Sequence, residues 1–420
     1  MTYDVDAIRA QFPALAETDS GKPRVYFDNP AGTQVPQRVV DRMSDCLLRH
    51  NANLGGYFTT SKGADAVVDD AHAAMADLLN AASPHEIIFG QNMTTLTLHV
   101  SRSIALHLNE GDDILLSRMD HDANVQPWVL MAQDRGVKVN WLPFNHETFE
   151  FDLALAAELL TERTRLLCVG GASNLLGTLN DVTTLCRLAR EAGAWTYIDA
   201  VQSVPHVSTD VQSIGCDFLA CSAYKFFGPH QGILYGRQAM LDQLSAYKVR
   251  PASDRSPGNF ESGTQSHEGM AGTAAAVDYL ASIGADATDY FAQYPSFSGR
   301  RLHVHAAMDA LFAYESTLAE QLVNGLHSIN GITVQGITSP DAMARRVPTV
   351  SFTSAKHTPQ TIAEQLAQQG VFVWSGHNYA LEVVDALGLR DSGGVVRVGP
   401  VHYNTADEVA RTLAAIDALH

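Results

Sequence analysis

Basic residues are scarce in this chain. Lysine and arginine total 28 against 46 aspartates and glutamates, for a formal net charge of −18. Nucleic acids and anionic membranes need basic patches to meet their phosphates, so this balance argues against both as partners. Charge is also dilute, at 18% beside 46% hydrophobic residues. A disordered chain has few apolar residues and dense charge, so that class is excluded. Cysteine is rarer still. Cys46, Cys168, Cys186, Cys216 and Cys221 form no CxxC pair and no metal spacing with histidine. An odd, sparse set predicts no disulfide framework and no metal, and suits a reducing, cytoplasmic compartment. No apolar run approaches the roughly 18 residues of a membrane helix. The opening stretch, MTYDVDAIRAQFPALAETD, has no basic segment ahead of an apolar one, so no secretory signal is expected. There is no GxGxxG after a strand, no GxxxxGK followed by Ser or Thr, and no HExxH. Dinucleotide, P-loop and zinc-protease readings lose their main support.

What is present is alternation. From about residue 85 to 236, short apolar runs read as buried strands: EIIFG, DILLS, VNWLPF, RLLCVGG, TYIDA, FLACSA and GILYG. Helical patterns lie between them. The stretch 94–108 places Leu96, Val100 and Ile104 on one face, and 181–193 carries Val182, Leu185, Leu188, Ala189 and Ala192 before a closing Gly193. Strands alternating with helices predict an α/β domain with a largely parallel sheet. The polar stretch 251–269 reads as loop. Beyond it, GITVQG, VPTVSFT, VFVWSG and GVVRVG alternate with helical pattern and predict a smaller α+β domain. At 420 residues the chain has room for two or three domains. The expected division is a large domain over 20–280 and a small one over 1–19 with 281–420.

Parallel sheets carry ligands beyond the carboxyl ends of their strands. Five segments there hold chemistry-bearing residues. In CSAYKFFGPHQGILYG, Lys225 follows a strand, and a desolvated lysine can condense with a carbonyl. A surface loop lysine would show the same local pattern. In TYIDAVQSVPH, Asp199 ends an apolar strand, where a carboxylate needs a cationic partner such as a pyridinium nitrogen. Gln202 lies three residues on. Asp199 serves equally as a helix N-cap. In FGQNMTTLTLHV, Thr94 and Thr95 open a helix and suit a phosphate, or simply cap it. His121 in SRMDHDANVQPW offers a flat ring to stack on an aromatic cofactor, or is an ordinary loop histidine. Asn174 in GGASNLLGTLN follows a strand, and turn formation alone would explain it.

Together these motifs resemble the class V aminotransferase superfamily of pyridoxal phosphate enzymes, in its cysteine desulfurase and selenocysteine lyase branch. The likeness runs from YFDNPAGTQVP (26–36) to VVRVGPVHYNTADEV (395–409), and its most specific pieces are HDANVQPW, ASNLLGT, YIDAVQS, SAYKFFGP, FESGT and RVGPVHYNT. The resemblance implies fold type I, with a mostly parallel seven-stranded sheet in the large domain and a smaller α+β domain. It implies that Lys225 holds pyridoxal 5'-phosphate covalently and that Asp199 keeps the pyridine nitrogen protonated. His121 would stack on the ring, Asn174 and Gln202 would bond near its hydroxyl, and Thr94, Thr95 and Ser222 would bind the phosphate. Thr264, in FESGT, would reach the partner's phosphate site, which implies a homodimer with shared active sites. Arg397 would grip the carboxylate of a small amino-acid substrate, with Asn29 and His377 as further substrate contacts.

Three departures stand out. Desulfurases carry a reactive cysteine on a mobile loop, and the matching stretch here, VFVWSGHNYA (371–380), has Tyr379 at that place and Trp374 where an arginine is expected. Tyr224 replaces the histidine before the lysine, and Met93 stands where glycine commonly precedes the Thr pair. The expected activity is cleavage of a Cβ bond, C–S or C–Se, through the lysine and without a persulfide cysteine, with Tyr224, Tyr379 and His121 as candidate acid–base groups. The same set leaves open decarboxylative aldol-type carbon–carbon bond formation, epimerisation and transamination. A non-catalytic pyridoxal phosphate-binding protein is the remaining alternative.

Overall fold

The computed structural model describes residues 3–19 and 21–420. Its centre is a seven-stranded sheet built from β1 (Ile87–Gly90), β2 (Asp113–Ser117), β3 (Lys138–Leu142), β4 (Thr164–Gly170), β5 (Trp195–Asp199), β6 (Phe218–Ser222) and β7 (Gly232–Gly236). The spatial order is β1-β7-β6-β5-β4-β2-β3, and only β7 runs against the rest. This is the mostly parallel sheet expected from the alternating pattern.

The strands are apolar throughout because both faces are covered. Successive residues feed two different cores. In β4, Leu167 and Val169 join one cluster, while Leu166 and Cys168 join the other. The first core is closed by α1 (Thr59–Leu78), α4 (His267–Gly284) and α5 (Gly299–Ser328); the second is closed by α2 (Met93–Ala105) and α3 (Gln126–Arg135). A single buried leucine on such a face contributes about 1.5–3 kcal/mol. The two-sided burial therefore fixes strand register firmly.

A four-stranded antiparallel sheet follows, made of β8 (Ile332–Gln335), β9 (Val350–Ser354), β10 (Trp374–Gly376) and β11 (Val395–Val398), in the order β8-β9-β11-β10. Leu318 and Leu322 of α5 and Val409 and Ile416 of α6 (Ala406–Asp417) cover it. The run VFVWSG, expected as one strand, is divided. Val371–Phe372 pairs in parallel with Val25–Tyr26, and only Trp374–Gly376 enters the four-stranded sheet. Residues 25–31 thus run between the two sheets, bridging at Asp28 to Gly399. Among the described residues no helix is long and apolar enough to cross a membrane.

Candidate active site

Four parallel strands end together. Beyond β2 come Asp120 and His121, beyond β4 Ala172 and Asn174, at the end of β5 Asp199 and Gln202, and at the end of β6 Ser222, Tyr224 and Lys225. All line one cleft of about 210 Å³, with Thr94, Trp374, Tyr379 and Arg397. The start of α2 reaches the same cleft because β7 opens with glycine. A Cβ at Gly232 would lie 2.3 Å from the Asn92 carbonyl carbon.

Lys225 sits on the single turn after β6. Its Nζ donates to the Pro30 carbonyl and, at 2.9 Å, to that of Ala31. It also lies 4.8 Å from the centre of the Tyr224 ring. Burial, reinforced by Arg397, lowers its pKa to about 7. Asp199 is 6% exposed, and its Oδ1 accepts the Val201 N–H at 2.9 Å. Burial raises it to about 6. A neighbour that sequence reasoning missed, Asp120, is raised to about 7 by burial and further by the Asp199 charge. It accepts from the Ser117 hydroxyl, the Gly170 N–H at 2.9 Å and the Asn124 amide at 2.7 Å. It lies three residues past the end of β2 and carried no sequence pattern of its own.

His121 is held down to about 3 by burial and by Lys225 and Arg397, so its ring is neutral at physiological pH. Its Nδ1 accepts the Ala123 N–H at 3.0 Å, which places the ring proton on Nε2. Arg397 is 4% exposed. Its Nη1 donates to the Asn174 carbonyl at 3.0 Å, and its Nη2 lies 3.7 Å from Asp28 Oδ1. Ser222 Oγ accepts the Met93 N–H at 3.2 Å. Behind the cleft, Gln202 donates to Thr349 Oγ1 at 3.0 Å and approaches His206, whose Nδ1 meets the fully buried Glu315 at 2.7 Å.

Three expected contacts are turned to other partners or lie outside the cleft, and a fourth residue, Thr264, expected at the partner's site, sits outside this chain's own cleft. Asn29 is absorbed into packing: its amide donates to the carbonyls of Tyr26 and Gly399 at 2.8 and 2.7 Å, and its carbonyl accepts from the Tyr403 hydroxyl. Thr95 closes a capping box with Asn92, a local bond that competes with ligand contact. His377 is outside the lining, and its Nδ1 accepts the Tyr379 N–H at 3.0 Å. Thr264 is exposed on a second groove with Thr95, His99 and His230. None of the five cysteines lines the cleft; all are buried.

The unmet bonding of the cleft tests what it can hold. Asn174 Oδ1, Asn378 Oδ1 and Arg397 Nε are buried without hydrogen-bond partners. Such atoms cost about 1–3 kcal/mol each unless a ligand meets them. An amine near neutrality, a buried carboxylate and hydroxyls at a helix start match an aldehyde, a pyridine nitrogen and a phosphate. The residues fit pyridoxal phosphate.

Comparison with known proteins agrees. The family model for aminotransferase class V matches residues 25–293 and 301–412. A cysteine desulfurase from Pectobacterium carotovorum subsp. carotovorum (strain PC1) is 30% identical over 436 residues, spanning 100% of this chain and 99% of the relative. One from Dickeya dadantii (strain 3937) is 29% identical over 433 residues, spanning 100% and 97%. The apo structure of cysteine desulfurase from Thermococcus onnurineus NA1 aligns with a TM-score of 0.86 at 25% identity, covering 99% of this chain and 97% of that one. The S-sulfonic acid form of a cysteine desulfurase from Escherichia coli gives 0.83 at 25% identity, covering 100% and 98%.

Proposed function

Because the chain belongs to the class V aminotransferase family, in its cysteine desulfurase-like branch, we propose that it cleaves the Cβ–S bond of a cysteine-like amino acid without a persulfide-forming cysteine. It is a pyridoxal phosphate-dependent enzyme of fold type I. When bound, the cofactor supplies an electron sink for charge developing at Cα.

The residues present would divide the work as follows. Lys225 would hold the cofactor. Asp199 would gain the cation that its buried carboxylate lacks. Thr94 and Ser222 would take the phosphate, Asn174 and Gln202 the ring substituents, and the neutral His121 the ring face. Arg397, with its Nε unpartnered, would orient the substrate carboxylate. Lys225 Nζ, near neutral, is suited to take the Cα proton at physiological pH.

The observation that carries the reading is the combination of this cleft with its cysteines. Tyr379, not a thiol, stands at the rim, and burial pushes the Cys168, Cys216 and Cys221 thiols well above their usual range. Thiolate chemistry needs the opposite shift. Exposed Leu48, Tyr57 and Phe58 supply an apolar surface suited to a second copy, which would bring Thr264 toward the other site. The absence of disulfides among the cysteines suits a reducing compartment.

The test is to incubate cofactor-loaded protein with cysteine, selenocysteine and S-substituted cysteines, with no added acceptor thiol. Pyruvate with released thiol or selenide is the expected result. A panel that yields neither pyruvate nor alanine while the cofactor stays bound overturns the reading.

A further inference from the structure

We propose that the substrate is a cysteine conjugate carrying a flat, apolar substituent on sulfur, seated between Trp374 and Tyr379 beside the guanidinium of Arg397. This rests on the C–S cleavage reading and adds the side-chain class.

The first observation is register. Trp374 on β10 is the direct antiparallel partner of Arg397 on β11. Side chains opposite each other in such a pair leave the sheet on the same face, with Cβ atoms about 5 Å apart. The indole and the guanidinium, whose Nε has no partner, therefore leave the sheet on one face and line the same cleft. A carboxylate suits that nitrogen, and the group attached through the same Cα is brought to the indole.

The second observation is backbone. Asn378 and Tyr379 are consecutive residues at φ +50° and +58°. A bulky residue in this left-handed region costs about 1–3 kcal/mol and persists only when its surroundings enforce it. Here they do. The Asn174 amide donates to the Asn378 carbonyl at 2.7 Å, and the Asp122 N–H donates to the Tyr379 carbonyl at 2.7 Å. The loop is thereby held so that the phenol stacks on His121, with ring centroids 5.3 Å apart and planes 17° from parallel.

The third observation is exposure. Trp374 is 54% exposed and Tyr379 66% exposed, although both line the cleft. The charged residues Arg397 and Asp199 line the same cleft but are buried. An amino acid bound by its carboxylate at Arg397 would leave its side chain at the aromatic rim. A bare thiol leaves both rings in water, whereas a flat apolar group covers them and gains stacking.

The reaction balances without an acceptor cysteine. The Cα proton is removed and its electron pair forms the Cα–Cβ double bond. The Cβ–S pair leaves with sulfur, which takes up a proton. Water converts the released aminoacrylate to pyruvate and ammonium, so conjugate plus water gives thiol, pyruvate and ammonium with no oxidant or reductant.

The test compares S-methyl-L-cysteine with S-benzyl-L-cysteine on the cofactor-loaded protein. Affinity is read from the visible band of bound cofactor, and turnover from thiol and pyruvate. The benzyl conjugate should bind about tenfold tighter or more. Trp374→Ala and Tyr379→Ala should each lower that ratio at least about threefold, and Trp374→Phe and Tyr379→Phe should keep most of it. Arg397→Lys should weaken both ligands alike. Equal affinities, a methyl preference, or a ratio untouched by removing either ring overturns the inference. If an alanine variant does not fold, a phenylalanine variant that loses the ratio while folded overturns it equally. Failure of the C–S reading looks different: the benzyl preference appears, but neither conjugate releases thiol.

Discussion

Asp199→Asn should stabilise the cofactor-free protein at alkaline pH and weaken the loaded one. The Asp199 carboxyl is raised from 3.8 to about 6, with burial as the main cause. The folded state therefore holds its proton over a range where the unfolded state has released it. Stability from this group is full below the unfolded value and is lost as pH rises through about 6. At about 1.4 kcal/mol per pH unit, the burden above that point is at most ~3 kcal/mol. Asparagine removes the charge and keeps a carbonyl for the Val201 N–H. Asp120, raised to about 7, carries a burden of the same sign, so the variant keeps part of the pH dependence. Its share also shrinks, because the Asp199 charge is one cause of that rise. Urea unfolding of cofactor-free wild type and variant, at about pH 5 and about pH 8, measures both slopes. Part of the burden is already present at about pH 5, above the unfolded value, so the variant should gain about 1.4 kcal/mol on wild type between the two conditions. In cofactor-loaded protein the order should reverse, because the asparagine cannot pair with a pyridinium. Equal pH slopes in the cofactor-free proteins would refute the assignment of a buried, proton-retaining carboxyl.

Two further outcomes are expected. Capture of pyridoxal phosphate by cofactor-free protein needs a neutral Lys225 amine, so its rate should climb through about pH 7; stopped-flow absorbance would show it, and a midpoint near the ordinary lysine value would count against the buried-amine account. The protein should sediment as a dimer that Leu48→Asp with Phe58→Asp dissociates, since both side chains are exposed and apolar; a dimer indifferent to the pair would place the interface elsewhere.

The large sheet was legible because its strands are buried on both faces. A run such as RLLCVGG has no alternation to obscure, and Leu166 and Leu167 need only point into opposite cores. Asp199 and Lys225 were legible for the same reason, as polar groups where an apolar run stops, whereas Ser222 entered only through the family resemblance. Legibility failed where the deciding partner is far along the chain. VFVWSG has one apolar texture but two pairing partners, Val25–Tyr26 and Val395–Val398. The resemblance implied Asn29 as a substrate contact, yet Gly399 and Tyr403 claim its side chain. Thr94 and Thr95 read alike, and only the capping bond with Asn92 separates them. Asp120 had no pattern of its own, and its role depends on Ser117, Asn124 and Gly170 converging on it.

The burial of all five cysteines has a practical consequence. Alkylating reagents and spin labels have no native thiol to reach while the protein stays folded. Tyr379→Cys would therefore carry a single addressable handle, at the rim of the cleft. A fluorophore or nitroxide placed there would report how the 371–380 segment moves as ligands enter, against a silent background.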